Sequence, residues 1–158
     1  MKSLNIVFSR SSNPFAAAIR AYPPSGPYSH CSIFLEEENK IIESLASKFG
    51  VIENTVEKLK DRASVLKMLS FSVPEENLII ANEWANSTVG DGYDWSYVFS
   101  IPFRVRDWHQ EGDWACSEHC AVYIEKAKIP IIAPGLHGLT PMHLYSIMYA
   151  AGARERAF

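Results

Sequence analysis

Residues 28–45, YSHCSIFLEEENKIIESL, carry the pattern from which the fold follows. Two runs rich in apolar and β-branched residues, 28–35 and 40–45, are separated by the polar segment 36–39. Two such runs joined by a short polar segment predict a β-hairpin. A four-residue turn then sets the register, because it pairs the two residues that flank it.

The register brings two polar side chains together. Alternation along the first strand puts Tyr28, His30 and Ser32 on one face and turns Cys31 toward the core on the other. In this register Ser32 lies opposite Glu43. His30 and Glu43 are then diagonal neighbours on one face, about 7–8 Å apart at Cβ, which an imidazole and a carboxylate can bridge.

The motif DWACSEHC contains the candidate nucleophile. Asp113 is predicted to cap a helix over 116–127, and Glu118 lies in its first turn, so Cys116 falls near the helix N-terminus. The free N–H groups and the positive end of the helix dipole favour a thiolate there. The backbone N–H groups of Cys116 and Ser117 are suited to receive an oxyanion.

These residues together supply the logic of a Cys-His-acid triad, with His30 as the base and Glu43 as the group that orients it. Glu43 shares its face with Ile41 and Leu45, so a buried carboxylate there needs a partner. Taken alone, His30 has a plainer interpretation as a hydrogen-bonded strand histidine. Tyr28, on the same predicted face, is a candidate for oxyanion or substrate binding, with packing as the alternative.

Two further interpretations concern the helix. Cys116, Cys120 and Ile124 share one helical stripe, as packing residues would. Cys116, Cys120, His119 and the upstream His109 would be the ligands of a zinc site. The sequence has no Cys-x-x-Cys pair and no second ligand cluster, so no metal is expected.

The order of these motifs resembles the circularly permuted branch of the NlpC superfamily, the YiiX/YaeF-like papain-fold proteins. In ordinary papain-like enzymes the cysteine helix precedes the histidine strand, whereas here the histidine strand comes first. The resemblance rests on the strand YSHCSIFL, the acidic Glu43, GVI at 50–52, the GDGYDW loop at 90–95, WACSEHC at 114–120 and LTP at 139–141.

The resemblance implies one α+β domain over residues 1–158, an antiparallel sheet flanked by helices with the nucleophile at a helix N-terminus. It implies a cysteine hydrolase, a peptidase, amidase or thiol esterase, with Cys116 as nucleophile, His30 as base and Glu43 as the third polar residue. Cell-wall peptides or lipid-linked amides and esters are the implied substrates, and no cofactor is needed.

Two other functions stay open. One is an acyltransferase of the lecithin–retinol type, which uses the same chemistry. Those proteins favour a second histidine as third residue and an Asn-Cys pair, where this chain has Glu43 and the pair Ala115-Cys116. The other is a non-catalytic binding module on the same fold.

The composition of the chain argues against several other classes of protein. The chain has 158 residues, 47% of them hydrophobic and 21% charged, which is typical of one globular domain. The net charge of -3 and the lack of a basic run argue against nucleic-acid binding.

No stretch approaches the roughly 18 apolar residues of a membrane span, and the N-terminus lacks the apolar region of a secretory signal. Three cysteines, an odd number, predict free thiols in a reducing compartment. A cytoplasmic protein of a bacterium or its phage is therefore expected.

Periodicity places the other elements. Strands are predicted at 5–9, 50–52 and 64–71 in addition to the hairpin. Helices are predicted at 14–20, 75–86, 96–100, 116–127 and 141–150. Strands concentrated in the first half with helices around them indicate an α+β domain.

Overall fold

A computed structural model of the chain describes residues 1–12, 14–100, 112–131 and 138–158. Its strands are β1 (Lys2–Arg10), β2 (His30–Leu35), β3 (Lys40–Leu45), β4 (Gly50–Thr55), β5 (Val65–Val73) and β6 (Arg154–Arg156). Its helices are α1 (Pro14–Ala21), α2 (Val56–Arg62), α3 (Glu75–Ser87), α4 (Trp95–Ser100), α5 (Cys116–Lys126) and α6 (Pro141–Ala150). Short 3-10 turns at Glu36–Glu38 and Ala46–Lys48 join β2 to β3 and β3 to β4.

The six strands form one sheet in the order β4-β3-β2-β1-β5-β6, and every neighbouring pair is antiparallel. The α+β class and the antiparallel sheet are therefore confirmed. The predicted hairpin is confirmed together with its register, because Leu35 pairs with Lys40. Asn39 closes the turn in the left-handed region, with φ 49°, a conformation that asparagine tolerates well.

Both faces of the sheet are covered. On one face β1 and β2 pack against α3, α5 and α6, and the central side chains of this cluster include Phe8, Ile33 and Ile124. On the other face Val7 and Ile41 pack against α2. Because both faces of β1 and β2 are buried, each strand reads as a nearly continuous apolar run at its centre.

Two elements were not predicted from the sequence. Helix α2 has only seven residues, too few for a helical period to stand out, yet its side chains Val56 and Leu59 cover the second face of the sheet. Thr55 caps it by accepting a hydrogen bond from the Lys58 N–H at 3.3 Å. Strand β6 has three residues, all exposed, and therefore carries no apolar alternation.

The segment before α5 is held by the GDGYDW loop. Isolated β-bridges link Gly50 to Gly92 and Gly92 to Asp113, and the Val51 N–H donates to the Asp91 carbonyl at 2.9 Å. Asp113 is thus a bridge residue, and the prediction that it caps α5 is wrong. The N-cap is Ala115, whose side chain has no acceptor.

A Gly50→Ala variant is expected to lower the free energy of unfolding by about 1–2 kcal/mol. A Cβ at this position would overlap the Asp91 carbonyl oxygen, a backbone atom that cannot turn away. Urea denaturation measures the loss. In Gly26→Ala the added carbon meets only the flexible Met142 side chain, so this control should lose less. Equal stability of Gly50→Ala and the parent would contradict this account of the loop.

Among the helices that the structure describes, α3 is the longest, with 13 residues. A helix that crosses a bilayer needs about 20. Within the described ranges, no helix has the length and apolar character to do so.

Candidate active site

Cys116 is the first residue of α5, at the end of the helix that lies against β2 and β3. Two hydrogen bonds of Trp114 fix the backbone just before this helix. The Trp114 indole N–H donates to Asp91 Oδ2 at 2.8 Å, and the Trp114 carbonyl accepts a hydrogen bond from the Ser44 hydroxyl. Cys120, one turn further along, is fully buried. Cys116 therefore begins the predicted packing stripe but also lines an open cleft.

His30, the first residue of β2, lies between Cys116 and Glu43. Its Nε2 is 2.8 Å from Glu43 Oε2, as the diagonal placement on the hairpin predicted. The imidazole also faces the Cys116 sulfur, and each of the two groups shifts the pKa of the other. Because Glu43 occupies Nε2, Nδ1 is the nitrogen left for Cys116. The three predicted triad residues are thus brought together in the order Cys116, His30, Glu43.

Glu43 is a fully buried carboxylate with several donors. Its Oε2 accepts from His30, from the Ser32 hydroxyl at 3.2 Å, and from Arg62 Nη2. Its Oε1 accepts from Asn54 Nδ2 at 2.9 Å. Burial alone would raise the pKa of this carboxyl, but these donors and the charges of His30 and Arg62 hold it at about 2.

The thiol and the imidazole favour their charged forms. Burial by itself would lower the pKa of His30, but the Cys116 sulfur and the Glu43 carboxylate raise that pKa to about 10. The pKa of Cys116 lies well below that of an ordinary thiol because Cys31 donates a hydrogen bond to it and His30 faces it, against the effect of burial. The site therefore favours a thiolate–imidazolium pair over a broad pH range.

Cys31 lies beside Cys116 on the core side. It is fully buried, as strand alternation predicted, and its thiol neighbours the sulfurs of both Cys116 and Cys120. Burial and these neighbouring sulfurs raise the pKa of Cys31, so it stays a protonated donor.

The cleft above Cys116 has a volume of about 160 Å³. Its base includes His30 and Tyr93, and its walls include Phe15 and Ile19 of α1 and Leu45 of β3. Tyr93 is largely buried and packs on Trp95 with ring centroids 4.9 Å apart. Burial, together with the nearby Cys116 and Cys31, raises the pKa of Tyr93, so it remains a neutral phenol beside the thiolate.

The two predicted oxyanion or substrate residues have different surroundings. Tyr28 packs between Phe8 and Tyr145, with centroid distances of 5.6 and 4.8 Å, in the same core cluster as Cys31. The prediction that it shares the face of His30 is wrong, because β2 begins only at His30 and alternation does not extend back to Tyr28. The Ser117 hydroxyl donates to the Leu139 carbonyl, so it is not directed at a substrate. The backbone N–H of Ser117, in the first turn of α5, is therefore the group of this residue that can donate to an oxyanion.

His119 has a structural environment. Its Nε2 is 2.8 Å from Thr88 Oγ1, and its ring packs beside both Trp84 and Trp114, at centroid distances of 5.2 and 5.8 Å. The described residues contain no group of three or more His, Cys, Asp or Glu side chains placed to hold a metal ion. His109, the fourth ligand considered for zinc, lies outside the described residues.

Four neighbours of the candidate triad are not identified by the sequence analysis: Asn54, Arg62, Tyr93 and, as a neighbour of Cys116, Cys31. The sequence does contain the signals of helix α2, because Thr55 is a capping residue, Glu57 is acidic in the first turn and the last turn is basic. These signals place Arg62 at the end of a helix. They do not predict that the Arg62 side chain contacts Glu43.

Comparison with protein-family models and with curated proteins gives no match to this sequence. The function is therefore inferred from the geometry of the site and from the motifs that compose it.

Proposed function

We propose that this chain is a cysteine hydrolase of the circularly permuted NlpC/papain-like type, acting on amide, peptide or ester bonds. One observation carries the proposal: a cysteine at a helix N-terminus faces a histidine whose Nε2 is held by a buried carboxylate, and the cysteine and histidine line one cleft. Nucleophile, base and orienting group are thereby in the arrangement that acyl transfer needs.

The reaction follows from the protonation states. The Cys116 thiolate attacks the carbonyl carbon, and the π electrons move to the carbonyl oxygen. When the tetrahedral intermediate collapses, His30 gives its Nδ1 proton to the departing amine or alcohol, and a thioester remains on Cys116. A water molecule then attacks the thioester while His30 takes its proton. The acid is released and the thiolate is restored.

The oxyanion needs donors at the attacked carbonyl. The backbone N–H groups of Cys116 and Ser117 lie in the first turn of α5, where they have no partner within the helix. The Ala115 side chain cannot cap them, so they stay available to a substrate oxygen. The positive end of the helix dipole adds to their effect.

The order of the elements along the chain supports the same proposal. The helix that carries Cys116 packs against the strand that carries His30, and the strand comes first in the chain. The apolar walls at Phe15, Ile19 and Leu45 suit an acyl chain or an apolar side chain next to the scissile bond. A peptide, or a lipid-linked amide or ester, is the proposed substrate.

The pH dependence of iodoacetamide alkylation, mapped by mass spectrometry, tests the proposal. Cys116 is expected to react well below pH 8, because its pKa is lowered by Cys31 and His30. In His30→Ala the rate at pH 6 should fall about 100-fold, since the thiolate fraction returns to that of an ordinary cysteine. Buried Cys31 and Cys120 serve as internal controls. His143→Ala, which removes a histidine from the start of α6, should react like the parent.

Ordinary, slow labelling of Cys116 in both the parent and His30→Ala would exclude the hydrolase and favour the binding module. If Cys116 is activated, the acyl-enzyme formed from p-nitrophenyl acetate separates the two enzyme classes. Release of acetate to water in the presence of an added amine supports the hydrolase. Preferred transfer to the amine indicates an acyltransferase instead.

A further inference from the structure

The triad carries a net charge that burial makes costly. In the active form Cys116 and Glu43 are both negative, and His30 supplies one positive charge, so the three groups sum to one negative charge. Glu43 is fully buried and Cys116 nearly so, with 7% of its surface exposed. An uncompensated charge in such surroundings is expensive, and the usual response is that one group binds a proton.

Arg62 is placed to supply the missing positive charge. It is the last residue of α2, and its Nη2 contacts Glu43 Oε2, the same oxygen that accepts from His30. The side chain is one-third exposed and lines the cleft, so part of the guanidinium stays hydrated while the charge faces Glu43.

We propose that Arg62 is a positioning residue whose positive charge balances the buried Glu43 carboxylate, so that the Cys116 thiolate and the His30 imidazolium can exist together. It acts through Glu43 and does not take part in proton transfer. This inference rests on the proposed function, because it concerns how the proposed nucleophile stays ionised.

The other titratable groups around the triad do not replace Arg62. The titratable groups that interact with Cys116, Cys31 or Tyr93 bring no positive charge other than that of His30: Cys31 on β2, Cys120 on α5, and Tyr93 with Asp94 in the loop before α4. The neutral donors Ser32 and Asn54 satisfy lone pairs of Glu43 but leave its charge in place. Of these neighbours, the guanidinium therefore alone offsets the second negative charge.

The test is the acid limb of Cys116 alkylation by iodoacetamide in a set of matched variants. Arg62→Gln keeps a donor toward Glu43 but removes the charge, and its midpoint should rise by about one pH unit. Arg62→Lys keeps the charge and should stay near the parent. Lys60→Met removes a cation from the far side of α2 and should change nothing.

The outcomes are distinct. An ordinary thiol profile in the parent would overturn the proposed function itself. An activated parent with an unchanged midpoint in Arg62→Gln would overturn only the role of Arg62. If Arg62→Gln does not fold, Arg62→Lys decides the question, because it keeps the charge without the guanidinium fork. A midpoint near that of the parent then supports charge balance, and a midpoint about one pH unit or more above it overturns the role of the charge.

Discussion

Cys116→Ala is expected to lower the turnover of p-nitrophenyl acetate by at least about 1000-fold, because the only group able to form the thioester is gone. Cys116→Ser should be nearly as inactive. A hydroxyl does not ionise beside His30 as the thiol does, so the attacking group would be neutral. In the parent, mass spectrometry should find the acetyl group on Cys116 during turnover.

Cys120→Ala is the matched control for this loss. Cys120 lies one turn along the same helix, is fully buried, and contacts the Cys31 thiol on the core side. Its removal costs packing and is expected to leave turnover within a few-fold of the parent. Turnover by Cys116→Ala at the parent rate would show that the esterase activity arises elsewhere.

His119 is expected to make the fold sensitive to acid. Thr88 donates its own hydroxyl hydrogen to the Ala85 carbonyl, so His119 Nε2–H must donate to Thr88 Oγ1. Nδ1 is then a bare lone pair, and it has no partner. Burial lowers the pKa of His119 to about 3, because a proton on Nδ1 would place an unpaired charge in the protein interior.

The direction of the pH effect follows from this lowered pKa. Between pH 6.5 and pH 3 the unfolded chain binds a proton at His119 and the folded chain does not, so stability is full above about 6.5 and falls as the pH drops. From pH 7 to pH 4 this residue should cost about 3 kcal/mol of unfolding free energy. Glu43, with its pKa near 2, adds a further loss below about pH 4.5.

His119→Gln isolates the effect. Its side-chain amide can donate to Thr88 as Nε2–H does, and it does not titrate in this range. Urea denaturation at pH 7 and pH 4 should give a change about 3 kcal/mol smaller in His119→Gln than in the parent. The comparison cancels the contributions of Glu43 and His30, which both proteins share. Equal pH dependence in the two proteins would show that His119 is protonated in the folded state.

The hairpin shows why part of the site was predictable. The turn at 36–39 has four residues, and this length alone sets whether His30 and Glu43 share a face. The capping and first-turn residues of DWACSEHC predict that Cys116 lies at the start of a helix, as it does, although the N-cap is Ala115 and not Asp113. These are local relations, over a turn or a few residues, so backbone geometry settles them without knowledge of the rest of the chain.

Tyr28 shows the limit of prediction from strand alternation. The predicted alternation continues two residues beyond the true start of β2 and puts Tyr28 on the face of His30. In the structure Tyr28 packs in the cluster with Phe8 and Tyr145. Asn54 reaches Glu43 from the neighbouring strand β4, where it pairs with Ile41. Arg62, 19 residues from Glu43 in sequence, reaches it only because α2 folds back over the same face of the sheet.

The amino-acid order therefore settled the hairpin register, the pairing of His30 with Glu43 and the helix that begins at Cys116, since each depends on short-range geometry. Folding of the whole chain decided the rest. The sheet order and the packing of α5 on β2 bring Cys116 to His30, whose positions are 86 residues apart. The donors around Glu43 and the thiol of Cys31 complete the site only there. Long-range contacts of this kind arise when apolar faces are buried on both sides of the sheet, and short sequence patterns do not predict them.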